Sequence, residues 1–577
     1  MLRRLAASKR ADYIIVGGGS AGCVLANRLS EHNRVLLVEA GPSDKGKWDS
    51  VKIQMPAALT FNLADTRYNW GYKTVPQAHL DNRRLEWPRG RVLGGSSSLN
   101  AMVYIRGHAQ DYDDWDAAGA AGWSYADCLP YFKKAQSHEL GEDTYRGGSG
   151  PLHVSRGSQK SQVLFQAFID AGVQAGYPFT DDMNGYQQEG FGFMDSTIYK
   201  GERWSASAAY LPRAVREREN LTILTDQLVH RIVLDGTTAR GIHVQSRGGD
   251  VELYEADKEV IVCGGAVNSP QLLLLSGIGP ADDLHALGIP VTHPLAAVGQ
   301  HLEDHLDLYI QFGCTQPITL HNATWKYPHK MVAIALEWLV NRTGLGASAH
   351  LESGGFIRSR AGLTHPDLQF HFLPGALTGQ LTPGACHAMQ SHLSPMRATS
   401  RGTLTLTSTD PKAPPRIDPK YLSTTQDVED IRRGVLLTQE IFQQKAFDPF
   451  RGEPISPATV FAADADDTID AWVRCAKNFV VAFVRQNTES AYHPSCTNRM
   501  GNDVTTSVVN SQCQVHGLDR LRIVDASIMP NIISGNLNAP VIMMAEKAAD
   551  LILGKPPLPP ATDVPVYIAP HCATRQR

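Results

Sequence analysis

Long apolar runs are missing from this sequence. Stretches such as LLLL (272–275) and FVVAFV (479–484) fall far short of the ~20 residues a membrane-spanning helix needs. No cysteine stands in a C-x-x-C pair, and the nine present follow no zinc-like or disulfide-framework spacing. That scatter, with no secretory signal, predicts a reducing compartment. Charge of one sign is also missing. Lys+Arg 54 against Asp+Glu 58 leaves a net −4, so nothing electrostatic points to nucleic acid. Neither an internal repeat nor a low-complexity tract stands out. What remains is the composition of a globular chain whose 577 residues can bury a large core.

One stretch organises the rest, ADYIIVGGGSAGCVLANRLSEHNRVLLVEAGP (11–42). Tyr13 to Val16 reads as a buried strand, Ala21 to Leu29 has apolar residues at helical spacing, and Val35 to Val38 is a second strand ending at Glu39. Gly17, Gly19 and Gly22 form G-x-G-x-x-G between the first strand and the helix. Glycines there allow a tight turn and close approach of a pyrophosphate, held by free N–H groups at the helix start. Glu39 is placed to accept from ribose hydroxyls. The unit predicts a dinucleotide site, and by itself does not separate NAD from FAD.

Further along, WPRGRVLGGSSSLNAMVYIRGHAQDYDDW (87–115) reads either as a second cofactor-contacting turn or as an exposed loop. A strand running into GGAVNSPQLLLLSGIG (264–279) again suits contact with a phosphate or ring. Alternating patterns in DLQFHFLP (367–374) and GTLTLTS (402–408) predict an antiparallel sheet. LRIVDASIMP (521–530) is a last buried strand ending in an acid, and GNLNAPVIMMAEKAADLILG (535–554) turns into a helix. The fold class expected is α/β: a discontinuous Rossmann-like dinucleotide-binding domain with an inserted α+β substrate domain containing an antiparallel sheet. The boundaries expected are a basic tail (1–10), an N-terminal cofactor region (11–309), a substrate domain (310–475), the C-terminal part of the cofactor domain (476–554) and an extended proline-rich tail (555–577).

GRVLGGSSSLNAMVYIRG, GGAVNSPQLLLLSGIGP, AYHPSCTNRMG, LRIVDASIMP and GNLNAPVIMMAEKAAD occur in the order found in the glucose–methanol–choline (GMC) oxidoreductases, and the chain resembles that family from about residue 12 to 552. The resemblance implies FAD. RYNWGY, DMNGYQQEGFG, ESGGFIRSR and PDLQFHFLP are most similar to choline-oxidising members, which implies choline or a similar small alcohol as substrate and a quinone-type electron acceptor.

Residue by residue, the resemblance implies His493 as the base that takes the hydroxyl proton, Asn538 as its partner and His371 as a positioning group. Gly17, Gly19, Ser20, Gly22 and Glu39 would hold the ADP part, with Val229 against the adenine. Val92, Gly95, Asn100 and Met102 would line the flavin side, and Asp525 and Asn536 would approach the ribityl chain and flavin ring. A trimethylammonium group cannot donate a hydrogen bond, so aromatic faces and a carboxylate must recognise it. The matching positions are Trp70, Trp325 and Tyr492, with Asp307 as counter-charge. Read without the resemblance, His493, His371 and the aromatics are equally ordinary core residues. HLEDH (301–305) has metal-like i, i+4 histidines, but with no third ligand it is read as a loop near the cofactor and no metal is expected.

Leu99 stands where some choline oxidases carry a flavin-bonding histidine, so the FAD is expected to be non-covalent. Asp307 stands where Glu is usual. The segment 476–490 is about ten residues longer than the family pattern and runs directly into Tyr492 and His493. If it displaced His493, the chain would be a non-catalytic flavin-binding protein; activity on another alcohol, or lyase chemistry, is a further alternative. Arg3, Arg4, Lys9 and Arg10, with no acid before Asp12, suit a mitochondrial targeting peptide, against a plain basic tail on a cytoplasmic protein; the short apolar runs leave peripheral membrane association open.

Overall fold

A computed structural model describes residues 9–46, 48–157, 162–246, 248–378, 382–460 and 477–577. Residues 1–8 of the basic tail, and with them most of the targeting-peptide expectation, lie outside the described residues. In chain order, the elements that build the site begin with β1 (Arg10–Val16), α1 (Ser20–Leu29), β2 (Val35–Val38), α2 (Val163–Gln174), β3 (Gly190–Phe193), β4 (Leu221–Leu224), β5 (Leu228–Asp235) and β6 (Thr238–Gln245). They continue with β7 (Val251–Val262), α3 (Gly265–Leu275), β8 (Leu306–Cys314), α4 (Pro328–Asn341), β9 (Ser353–Ile357), β10 (Leu368–Leu373) and β11 (Ala388–Pro395). The last are α5 (Thr425–Phe442), β12 (Arg451–Ser456), α6 (Lys477–Asn487), β13 (Glu489–Ser490), β14 (Leu521–Ile523) and α7 (Asn538–Ile552).

The first sheet has the order β4-β2-β1-β7-β6-β5, with β14 pairing the end of β7 beyond β6, on the edge away from β1. β4, β2, β1, β7 and β14 run parallel, while β6 pairs antiparallel with both β7 and β5. Ile14, Ile15, Leu36, Leu37, Val260 and Ile261 are buried on both sheet faces, which is why these strands are continuous apolar runs. β14 comes from the far end of the chain, and α7 packs on α1, so the cofactor domain is discontinuous as expected.

The second sheet is antiparallel, β12-β8-β11-β10-β9-β3, with β13 pairing β8. Its membership corrects the boundary at 310. β3 comes from residues 190–193, β8 begins at 306, and β13 lies past 475. Alternation sets its two faces. Leu308, Ile310, Phe312, Phe370, Phe372 and Leu393 are buried toward the side covered by α5 and α2. On the other face, Tyr309 pairs with His392 and His392 pairs with His371, one residue per strand in a row. Asp307, Gln311, Gln369 and Gln390 extend that polar face.

The long segment before His493 is built into this sheet. α6 packs on α5 and β8, and β13 pairs Glu489 with Asp307 and Ser490 with Leu306. Arg83 donates to the carbonyls of Thr488 (2.9 Å) and Arg485 (3.2 Å) and pairs with Glu489. The described part, 477–490, therefore delivers Tyr492 and His493 to the site rather than displacing them.

Candidate active site

A cavity of about 1410 Å³ lies between the two sheets. That exceeds the ~300–1,000 Å³ of a drug-sized pocket and suits a dinucleotide with a small substrate. Of the residues expected to touch a cofactor, Gly17, Gly19, Ser20, Glu39, Gly95, Asn100, Met102, Val229, Asp525 and Asn536 all line it. Gly22 and Val92 do not. Gly22 lies beneath the turn, where an added Cβ would stand 1.9 Å from the Gly17 carbonyl oxygen; its task is packing. Val92 is fully buried in a small cluster with Ile53, Tyr68 and Leu99.

The lining passes a test of fit for a pyrophosphate-bearing group. α1 has no side-chain cap and no acid in its first turn, so its leading N–H groups are available to an anion. Gly95 closes the opposite side with φ +55°, and a Cβ there would stand 2.7 Å from Gly19 Cα. Only a bare backbone leaves that cradle open. Glu39 is held by the N–H of Gly18 at Oε2 and of Gly41 at Oε1, both 2.8 Å, and burial pushes its carboxyl up to about 7. Asp525 accepts from Gly265 N (2.8 Å), Ser269 Oγ (2.5 Å) and Ser527 N (2.8 Å), which binds the start of α3 to the end of β14.

At the sheet end of the cavity stands His493. Asp304 fixes its backbone: Oδ1 accepts from His493 N at 2.7 Å, while Oδ2 accepts from Ser490 Oγ (2.5 Å) and from the Tyr421 hydroxyl. Ala491 N donates to the His305 carbonyl (2.9 Å) and Arg89 Nη2 to the Tyr492 carbonyl (2.5 Å). These anchors hold Tyr492 at φ +64°, a left-handed conformation costly for a bulky residue. The fragment HLEDH thus has a use its spacing did not announce. Asp304 clamps the loop, and His305 Nδ1 meets His493 Nδ1 at 3.1 Å.

The other ring nitrogen of His493, Nε2, lies 3.3 Å from Asn536 Nδ2. Gln369 Nε2 donates to Asn536 Oδ1 (3.2 Å), so the Asn536 amide nitrogen is the end turned to His493. An amide nitrogen only donates. With the amide turned this way, His493 Nε2 is the nitrogen that accepts, and the tautomer that matches carries its proton on Nδ1, toward His305. Burial first, then the charges of His305, Arg89 and His371, hold the His493 pKa well below the usual histidine value. Burial likewise lowers His305 and His371 to about 4.

Asn538, the expected partner, lines the same cavity. It begins α7 and its Oδ1 accepts from Ser20 Oγ at 2.8 Å, on the cofactor side. Asn536 occupies the position beside the histidine. His371 lines the same cavity, its Nε2 3.3 Å from Gln369 Nε2.

Asp307 also opens on this cavity. Its Oδ2 accepts from His392 Nδ1 at 2.8 Å, while its Oδ1 is buried without a hydrogen-bond partner. Tyr492 and Tyr309 line the cavity too, and each lies close enough to feel the Asp307 charge. Two expected aromatic partners fit less well. Trp70 is stacked on Tyr72 (centroids 5.8 Å apart) and already carries the Arg91 guanidinium at 5.5 Å. Trp325 is 69% exposed at the cavity mouth, edge-on to Phe61. Tyr309 and His392 were missed, although alternation along DLYIQ puts Tyr309 on the same face as Asp307.

The family models described as GMC oxidoreductase match residues 11–307 and 398–545. The chain is 55% identical over 572 residues to "Choline dehydrogenase, mitochondrial" of Homo sapiens, covering 98% of this chain and 93% of that protein. It is 50% identical over 573 residues to "Oxygen-dependent choline dehydrogenase" of Photobacterium profundum, covering 98% and 97%. The solved pyridoxine 4-oxidase from Mesorbium loti superposes with a TM-score of 0.81 at 32% identity, covering 93% of this chain and 98% of that one.

Proposed function

We propose that this chain, which belongs to the GMC oxidoreductase family, oxidises choline to betaine aldehyde and passes the electrons to a quinone-type acceptor. It is an FAD-dependent alcohol oxidoreductase. FAD, when bound, supplies at N5 the acceptor for the hydride lost from the carbinol carbon. Gly17, Gly19 and Ser20 would hold its pyrophosphate, Glu39 its ribose, and Gly95, Asn100, Met102 and Asp525 the remainder. The observation that carries the reading is Asp307: a buried carboxylate oxygen, free of any hydrogen bond, facing the same cavity as His493. An unpaired buried oxygen is costly unless a cation comes to it, and a cation without N–H groups suits one flanked by Tyr309 and Tyr492. The names of the most similar relatives support choline specifically.

His493 Nε2 takes the hydroxyl proton as the alcohol is activated. The Asn536 amide, which can only donate through Nδ2, steadies the oxygen as negative charge builds on it. His371 limits where the hydroxyl can lie. The test is anaerobic rapid mixing of the FAD-loaded protein with choline, read by bleaching of the visible flavin bands. Because His493 is held neutral, the bleaching rate should stay flat from alkaline pH down through neutrality. A half-maximal rate above neutrality would rule out His493 as the base. Bleaching with uncharged alcohols but not choline would assign another substrate.

Leu99 lines the cavity with an aliphatic side chain that offers no nucleophile to a flavin ring. Acid precipitation should therefore release the yellow colour to the supernatant; colour kept in the pellet would disprove non-covalent binding. The relatives named mitochondrial support a mitochondrial location, at the inner membrane where quinones reside.

A further inference from the structure

We propose that α4 and the rim beside it dock this protein on an anionic phospholipid bilayer, with the cavity mouth opening at the lipid surface. The purpose of that surface rests on the quinone reading above; the docking itself does not. A helix of a globular protein turns its apolar stripe to the core. In α4 the reverse holds. Trp338 is its one buried side chain, its indole N–H given to the Gly201 carbonyl at 2.7 Å. Val332, Leu336, Leu339 and Val340, spaced i, i+4, i+7, i+8, form one exposed stripe, with Val340 77% exposed. Trp325 at 69%, just before α4 in the chain, adds to it beside exposed Phe61, and Trp48 at 91% is a further exposed ring on the lining of the same cavity.

The patch is continuous with the active-site cavity. Trp48, Phe61, Trp325 and Val332 all belong to the cavity lining, and the Phe61 and Trp325 rings meet at 6.0 Å. Exposed apolar patches rimmed by polar groups mark interaction surfaces. Among the described residues, no helix is long and apolar enough to cross a membrane. α4, at 14 residues, is ~21 Å long against ~30 Å of hydrocarbon. It can lie in an interface but not span one.

Charge and side-chain type choose the occupant. Lys326 and Lys330 flank the N-terminal end of α4, and Lys200 sits next to Gly201 beneath its Trp338 anchor; Glu337 is the one acid in the helix. Tryptophans at the rim with lysines beside them suit a headgroup layer, where aromatic rings sit at the polar boundary and lysine ammoniums reach anionic groups. A second copy of this chain would bury those lysines, a residue depleted at protein interfaces.

The test uses the full-length, FAD-loaded protein and co-sedimentation with vesicles of phosphatidylcholine alone or in equal parts with phosphatidylglycerol. The expected result is binding to the mixed vesicles that weakens with salt. Leu336→Glu/Val340→Glu, neither residue lining the cavity, should bind on the order of ten- to a hundred-fold more weakly, yet keep its FAD and its bleaching by choline in solution. Lys326→Glu/Lys330→Glu should remove the preference for phosphatidylglycerol. Absence of vesicle binding by the unaltered protein, or equal binding by the first variant, overturns the proposal. So does a dimer by light scattering that the first variant makes monomeric without any vesicle binding. Failure of the choline reading would appear separately, as no bleaching in solution, whatever the vesicles show.

Discussion

His493→Ala should retain its FAD and reduce it with choline about 10²–10⁴-fold more slowly, the range a positioned base contributes. Retention is expected because none of the cradle at Gly17, Gly19, Ser20 or Gly95 involves the imidazole. The loss is expected because no neighbour can replace Nε2. Asn536 presents an amide nitrogen to that spot, which cannot accept a proton. His305 lies behind the ring, against Nδ1. Rapid mixing under anaerobic conditions reads the rate, and the visible spectrum reads the cofactor content. Reduction at the unaltered rate would remove His493 from the chemistry. Loss of FAD would show instead that the loop clamped by Asp304 is structural for the cofactor domain. Free imidazole should restore part of the rate if the cavity left by the side chain admits it.

Asp307→Asn should weaken capture of choline by roughly a hundred-fold while changing an uncharged isostere, 3,3-dimethylbutan-1-ol, by only a few-fold. The substitution keeps an oxygen able to accept from His392 Nδ1, so the geometry of β8 against β11 survives. What it removes is the charge. At an effective dielectric near 20, unit charges ~5 Å apart attract by roughly 3 kcal/mol, and 1.4 kcal/mol is tenfold. Tyr309 and Tyr492 remain, and cation–π contacts of ~0.5–2 kcal/mol explain why some preference for choline should persist. The ratio of kcat/KM for the two alcohols is the readout. An unchanged ratio would place the ammonium elsewhere in the cavity, and the carboxylate would then be a partner for His392 alone.

Much of the fold was legible because it is written locally. Buried strand, glycine turn, helix and acidic strand end fall within residues 11–42, and the structure reproduces them as β1, α1, β2 and Glu39. Alternation in DLQFHFLP announced a strand of an antiparallel sheet, found as β10. The two asparagines near the site differ for a related reason. Asn536 and Asn538 stand two residues apart at a helix start, and residues at that spacing point to different sides. One faces His493 and the other faces α1. Sequence spacing alone could not say which.

Other parts had no local signal. His305 meets His493 from 188 residues away, and Asp307 meets His392 from 85. The boundary at 310 failed because a sheet collects strands by hydrogen-bond register, here from 190, 306 and 489 alike. Trp325 looked like an aromatic wall and proved to be part of an exposed rim, since burial depends on what packs opposite.

By itself, then, the sequence determined a dinucleotide cradle, two sheets of different kind and the family chemistry those motifs carry. These follow from backbone sterics and side-chain period over a few residues. Only the tertiary structure decided that His305 and Asn536 flank the two ring nitrogens of His493, and that Asp307 keeps one oxygen free in the same cavity. Those facts arise where two distant sheet faces close on each other, and no short-range pattern encodes that meeting.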